Sequence, residues 1–557
     1  MALCELFAFS ISTNYQLALG VAGTVVICHL IYTLTTSTDI PYIKGIPEIP
    51  GALPIFGHLL ALGDDHATAC ESWWRKYQTS VFQIRLGNTR AVVVNSFSDA
   101  KRMLTGSNSQ SALISRPTLY TFHGVISSTQ GFTIGSSPWD ESCKNKRKAA
   151  GAALGRARIK DYHDMFDLES YAVLRDLERD GKGGGEISVR KYIQRYALNT
   201  TLTLCYGIRM DSVYDEMLRE ILEVGSAISL LRSASENFQD YIPVLRYFPN
   251  NEKNRRGKDL RDRRDAYLTT LLNQVRSMIA KGTDKPCIAS AILKDLTTKL
   301  TNVEVSSICL SLVSGGFETI PGNLTSCIGS LSTLQGQVFQ EKAFSEIMRV
   351  YKEDRRAAWQ ASFQEEKVEY LSAIVKEALR YYTVSAMSLP RKTVEDIDWE
   401  GAKIPRGTMV LINAQAANHD IDHFGPTASQ FNPDRWLSPN SISEPKPTPG
   451  IQHFSFGAGS RACSGQIIAS RLLYTTLLRL MTTYRIVASE SHPPNTDYVD
   501  YNQFKSALVA IPREFKVRLV PRDGDVGIEG SLEDCLEEAR GRTEGYYKED
   551  LGVSVGG

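Results

Sequence analysis

The chain reads as mainly α with small β-sheets, a single large domain behind an N-terminal transmembrane helix. Three observations predict this. Long helical patterns dominate from Asp140 onward, with the amphipathic run Val368–Tyr382 (VEYLSAIVKEALRYY) the clearest. Strand signals are short and few, and no period of about 20–50 residues marks a repeat array. Near the start, Leu17–Leu34 is an uncharged run broken only by His29, long enough to cross most of a bilayer as a helix.

Composition narrows the class. The 557 residues are 42% hydrophobic and 22% charged, ordinary globular values with material for a large core. A net charge of +1 gives no global field for nucleic acid or for a charged ligand. The ten cysteines, Cys205, Cys309 and Cys327 among them, include no C-x-x-C pair, so neither a zinc site nor a redox dithiol is indicated. One special thiol in a reducing, cytosol-facing compartment fits best.

The chain divides into five segments. Residues 1–14 form a short lumenal piece and 15–36 the anchor. The first sixteen residues lack the basic region of a cleaved signal, so a retained anchor is favoured. Glu5 precedes the apolar run and Lys44 is the first basic residue after it, which places the rest of the chain in the cytoplasm. Residues 37–57 are a stiff hinge with prolines at 47, 50 and 54. Residues 58–520 are the catalytic body. Residues 521–557 are an acidic, Gly-rich tail, read as disordered or as a short peripheral helix.

Within the body, VFQIRL and AVVVN flank a Gly-Asn turn and predict a hairpin. Asn254–Asp265 is a dense run of charge, read as a solvated face without a role. The apolar helix Val303–Thr325 carries Gly315-Gly-Phe-Glu-Thr319 with Pro321 just beyond. Pro321 cannot donate to the Phe317 carbonyl and crowds it, so the turn should open there, leaving room beside Thr319. Glu377 and Arg380, three apart, share one face of the Val368–Tyr382 helix, and FNPDRW follows at 431–436.

The richest stretch is Phe456–Gly465, of pattern F-x-x-G-x-R-x-C-x-G. Cys463 stands in a glycine-rich turn before a helical pattern, and a thiolate so presented can be an axial ligand of haem iron that favours O–O cleavage. Gly459 and Gly465 are expected to supply positive φ and close backbone approach to a flat cofactor, and Phe456 and Gly457 are expected to contribute to binding it. Arg461 offers a fork of donors to a haem propionate. With its partner motifs, the stretch resembles the cytochrome P-450 superfamily of haem-thiolate monooxygenases over about residues 45 to 520.

The resemblance carries further expectations. Glu377, Arg380 and Arg435 match a buried structural network behind the haem. Glu318 and Thr319 match an acid–alcohol pair that relays protons for dioxygen activation, with Glu in the commoner Asp place. Arg391, in SLPR, matches a second propionate partner. Trp139 matches W-x-x-x-R, but its fourth following residue is Cys143, with Lys144 or Arg147 as substitutes. The basic run Lys144, Lys146, Arg147, Lys148 suits docking of an acidic reductase. The implied cofactor is haem b. Implied partners are NADPH–cytochrome P-450 reductase, with cytochrome b5 as a second electron donor, the endoplasmic reticulum membrane with the catalytic body facing the cytosol, and a small aromatic substrate, but no nucleic acid.

The pocket wall is expected from Tyr120, Phe122, Val125 and Phe132 in the loop before Trp139, from Gly315 and Phe317, from Val384 and Met387, and from Phe504. Arg116, His123 or Lys505 would bind a carboxylate. TLYTFHGVISSTQGFTIGSSPWDESCK and SLPRKT are similar to the fungal phenylacetate hydroxylase branch, which implies ring hydroxylation of an arylacetate. Alternatives are oxidative tailoring of a larger aromatic product, including phenol coupling, a haem-thiolate isomerase, and a non-enzymatic haem sensor.

Overall fold

The computed structural model describes residues 36–522 except 130, 182–183, 211, 249–250, 296–299 and 438–449, with isolated positions beyond them. Residues 1–14, nearly all of the expected anchor and nearly all of the tail lie outside the described residues.

The body is mainly helical with small sheets. The helices that place the site are α1 (Glu141–Leu154), α2 (His163–Gly181), α3 (Arg190–Tyr206), α4 (Glu216–Leu230), α5 (Glu252–Lys281), α6 (Asn302–Gly316), α7 (Thr319–Ser332), α8 (Glu369–Tyr381) and α9 (Gln466–Thr483). The charged run at 254–265 is part of α5, where Arg263 pairs with Glu220 and Glu223 of α4. The largest core is built where α2, α3, α7, α8 and α9 meet, around residues such as Tyr192, Leu324, Leu371 and Leu472.

The sheet of four strands has the order β1-β2-β6-β3. β1 (Val81–Leu86) and β2 (Thr89–Val94) pair antiparallel about the Gly87–Asn88 turn, as the pattern predicts. β2 then runs parallel to β6 (Met409–Ile412), and β3 (Arg391–Lys392) closes the sheet antiparallel. This edge pairing anchors Arg391. Two further hairpins are β4 (Ile397–Trp399) with β5 (Ala402–Ile404) and β7 (Tyr484–Ala488) with β8 (Val517–Pro521).

α6 begins with a capping box: the Thr301 hydroxyl accepts from Glu304 N at 3.2 Å, and the Glu304 carboxylate accepts from Thr301 N at 2.9 Å. The same carboxylate accepts from Ser142 of α1 at 2.7 Å and ties the two helices together. The long apolar helix breaks at Phe317–Glu318, between α6 and α7, where Pro321 removes a donor. Among the described residues, Asn302–Ser332 is long and apolar enough to cross a membrane; here it packs against α1 and α3 inside the body.

Candidate active site

Cys463 is presented by a loop that a few short hydrogen bonds hold in place. Its N–H donates to Phe456 O at 2.9 Å, Gly457 N to Phe454 O at 2.8 Å, and Ala462 N to Gly459 O at 3.0 Å. α9 starts three residues after the cysteine, so the helix N-terminus and the N–H groups of Gly465 and Gln466 favour negative charge on sulfur. Burial outweighs them and pushes the thiol up. Yet Cys463 has exposed surface. Gly457 (φ 62°) and Gly459 (φ 66°) take the left-handed conformation, and a Cβ on Gly459 would overlap the Leu104 carbonyl. Gly465 corrects the expectation: its φ is −88°, because it serves as the N-cap of α9.

Around the loop lie four arginines from four parts of the chain, Arg116, Arg147, Arg391 and Arg461. Arg461 donates to the carbonyls of Ile134 (3.0 Å) and Ser137 (2.9 Å), and its Nη1 lies 3.5 Å from the Cys143 sulfur. The Trp139 ring centre is 5.8 Å from its guanidinium carbon. Arg391 donates to Ala458 O at 3.0 Å, and Arg147 to Ser460 O and Ala462 O at 3.3 and 3.4 Å. Burial, then Arg461 and Arg147, push Arg391 down to about 9. Burial, then Arg391, Arg461 and Arg147, push Arg116 down as well. Among the described residues, none of the four has a carboxylate at ion-pair distance. Such a cluster, with the Nε atoms of Arg116 and Arg461 buried and unpartnered, fits a flat cofactor carrying two carboxylates.

Of the two substitutes for the arginine replaced by Cys143, Arg147 reaches the loop. Lys144 is exposed and pairs with Glu141 at 3.3 Å. Lys146 corrects the reading of a basic surface. It points inward, donating to Phe132 O, Ser137 Oγ and Ser307 Oγ, so that of the run only Lys144 and Lys148 are exposed.

Behind the loop, Glu377, Arg380 and Arg435 meet. Glu377 is fully buried and accepts from Arg380 Nη2 (2.7 Å) and Nε (2.9 Å), Arg435 Nε (3.1 Å), Asn432 N (2.8 Å) and Trp436 Nε1 (2.9 Å). Burial alone raises this carboxyl, but Arg380 and then Arg435 outweigh it and hold it below the usual range. Arg380 also donates to Asn418 O at 2.8 Å, and Asn418 Oδ1 accepts from Phe454 N at 2.7 Å. A continuous chain of hydrogen bonds thus runs from the ion cluster to the entry of the cysteine loop. Trp436 and Asn418 belong to the network without having been singled out in the sequence, although FNPDRW contains the tryptophan.

At the helix break, Thr319 Oγ1 donates to Gly315 O at 2.7 Å. Gly315 is exposed, with open space where a Cβ would stand. Glu318 turns toward α4. Burial pushes its carboxyl up to about 8, against the opposing pull of Arg232 and then Ser229.

A cavity of about 140 Å³ lies on the same side of the fold as the end of α4 and the 383–390 segment, lined by Leu119, Val384, Met387, Leu389 and Leu508. Of the residues expected in the pocket wall, Val384 and Met387 line this cavity. Others do not. The Phe317 ring fills the notch left by Gly225 on α4, where a Cβ would overlap it. Tyr120 accepts from Asn254 at 3.3 Å and lies under Arg246, facing α5. Val125 packs at Gly257 of α5. Phe122 and Phe132 stand edge-on to His123, and Phe504 is 40% exposed.

One thiol in a hydrogen-bonded loop and an arginine cluster with no carboxylate partner among the described residues have the chemistry that a haem held by a thiolate requires. Among the described residues no group of three or more His, Cys, Asp or Glu is placed to hold a metal ion by itself. The cytochrome P450 family model matches residues 47–517, and the chain belongs to that family of haem-containing monooxygenases.

Particular relatives are similar over nearly their whole length. Phenylacetate 2-hydroxylase of Emericella nidulans is 47% identical over 91% of this chain and 95% of its own. 3-Hydroxyphenylacetate 6-hydroxylase of the same organism is 37% identical over 94% and 98%. Cytochrome P450 monooxygenase CYP3 of Mycosarcoma maydis is 34% identical over 88% and 90%.

Proposed function

We propose that the protein hydroxylates the ring of a small arylacetate, with electrons from NADPH passed by a separate reductase. The likeness to phenylacetate 2-hydroxylase carries the substrate class. The cavity supports it, being about the size that accepts a benzene-sized ring. In this reading the haem, when bound, supplies binding and two-electron reduction of O2; one oxygen atom goes to the substrate and the other to water, consuming two protons.

The chain's own residues then have these roles. Cys463 would hold the haem iron through its sulfur. Arg391 and Arg461, joined by Arg147 in place of a residue at 143, would hold the haem carboxylates, with Trp139 beside them. Phe456, Gly457 and Gly459 shape the loop. Thr319 Oγ1 holds a proton at the open turn, and Glu318 renews it, being largely protonated at neutral pH. Glu377, Arg380 and Arg435 keep the loop rigid.

The segment 15–36 anchors the body to the endoplasmic reticulum membrane, 37–57 is the hinge and 58–520 the catalytic domain, facing the cytosol. The exposed Lys144 and Lys148 contribute to the reductase face.

The test is turnover of phenylacetate by the full-length protein with NADPH, a P450 reductase and 18O2. A ring-hydroxylated acid carrying one labelled oxygen is expected. Coupled dimers, or no product from any arylacetate, would overturn the substrate class.

A further inference from the structure

Arylacetates are anions at neutral pH, so a site that selects them needs a cation inside the cavity whose charge is not already matched. Of the three groups expected for this, Arg116 and His123 do not line the cavity, and Lys505 is paired with acids. Lys505 Nζ lies 2.8 Å from Asp500 and 3.3 Å from Asp65. Arg116 donates to the carbonyls of Leu389 and Pro390. His123 meets Leu119 N through Nδ1 at 2.8 Å and Ser136 O through Nε2 at 3.2 Å, and burial holds it below its usual range. His66 also lines the cavity, and burial pushes it down too.

Arg232 differs from all of them. It follows the C-terminus of α4, where a cation is favoured by the helix dipole, and it lines the cavity. Its guanidinium carbon lies 3.9 Å from the centre of the Phe122 ring, which fixes the fork in place while leaving its N–H groups uncommitted. Among the described residues, its side chain has no hydrogen bond and no carboxylate at ion-pair distance. Burial lowers it to about 10, so it stays charged at neutral pH, and the acid it senses, Glu318, is mostly neutral there. A half-buried, immobilised and unmatched guanidinium on the wall of a ring-sized, partly apolar cavity is costly unless an anion completes it.

We propose that Arg232 is the carboxylate anchor of the substrate: its guanidinium binds the acid group of an arylacetate and so decides which end of the molecule enters the apolar part of the cavity. This rests on the arylacetate reading above. Arg232 is a specificity-determining residue that no motif in the sequence marks.

The experiment measures binding directly, by equilibrium dialysis of labelled phenylacetate and of the neutral isostere phenylacetamide against full-length holoenzyme. Wild type, Arg232→Met and Arg232→Lys are compared, each with thermal unfolding as a check of folding. Wild type should prefer the acid. Arg232→Met should lose about 10- to 100-fold in affinity for the acid, the range for a charge-assisted hydrogen bond, and keep its affinity for the amide. Arg232→Lys should fall between, keeping the charge without the fork; it carries the comparison alone if the methionine variant does not fold.

Acid affinity unchanged in both variants would overturn the proposal while leaving the arylacetate reading in place. Equal loss for acid and amide would also overturn it, showing a structural role. Wild type binding neither ligand would overturn the arylacetate reading itself, and the anchor with it.

Discussion

Thr319 donates its hydroxyl to the Gly315 carbonyl, 2.7 Å away, across the break between α6 and α7. The hydroxyl takes up a carbonyl at the turn that Pro321 opens, and it borders the open space beside Gly315. Replacing Thr319 with Ala should cut product formation roughly 100-fold, the scale of lost proton relay, while NADPH consumption continues. Product formed per NADPH checks this, with Thr319→Ser expected to retain coupling.

Glu318 should impose a pH dependence. Its folded value, about 8, lies above the ordinary 4.5, so the folded protein holds a proton that the unfolded chain releases between the two. Stability should therefore fall as pH rises from 4.5 to about 8, and proton delivery should fall as pH rises through about 8. Denaturation midpoints and product formation against pH test this. Glu318→Gln should flatten both profiles.

The Glu377 cluster predicts an asymmetric cost. Glu377→Ala leaves Arg380 and Arg435 buried without their acid, which should cost about 3–5 kcal/mol, a large fraction of a domain's stability. Denaturant unfolding of the holoenzyme should show it, together with a sharp fall in haem retained. A surface ion pair such as Lys144–Glu141 should cost under about 1 kcal/mol when broken.

Two glycines in the loop should behave differently. Gly459→Ala meets both a left-handed φ and the Leu104 carbonyl, so the loop must move. Gly457→Ala has the same φ but meets no protein atom, so its cost to the fold should be about 1–2 kcal/mol, the conformational penalty. Denaturant unfolding separates them: a small shift in Gly457→Ala and a large one in Gly459→Ala.

Much of the site was legible because its most demanding positions sit in short contiguous runs. Glu377 and Arg380 share a helical face, Arg435 lies in FNPDRW, and Cys463 stands before a helix, so local spacing alone placed each on a defined element. The cavity wall was not legible in this way. Whether Phe317 faces the cavity depends on Gly225, some ninety residues earlier, which gives its ring a notch on α4. Tyr120 and Val125 turned toward α5 for the same kind of reason, a neighbour supplied by tertiary packing. Lys146, charged in sequence, found three oxygens inside the fold. Gly465 looked like a turn residue, but the helix it caps requires an ordinary φ. Arg232 carries no pattern at all; only the cavity around it gives its charge a meaning.

The central claim is that Cys463 is the thiolate ligand of a haem iron. The carbon-monoxide difference spectrum of the reduced full-length protein tests it most directly. The account predicts a Soret band at the red-shifted position that thiolate ligation produces, lost in Cys463→Ser while Thr319→Ala keeps it. A wild-type band at the position of a histidine-ligated haem, or a red-shifted band that survives in Cys463→Ser, would contradict it.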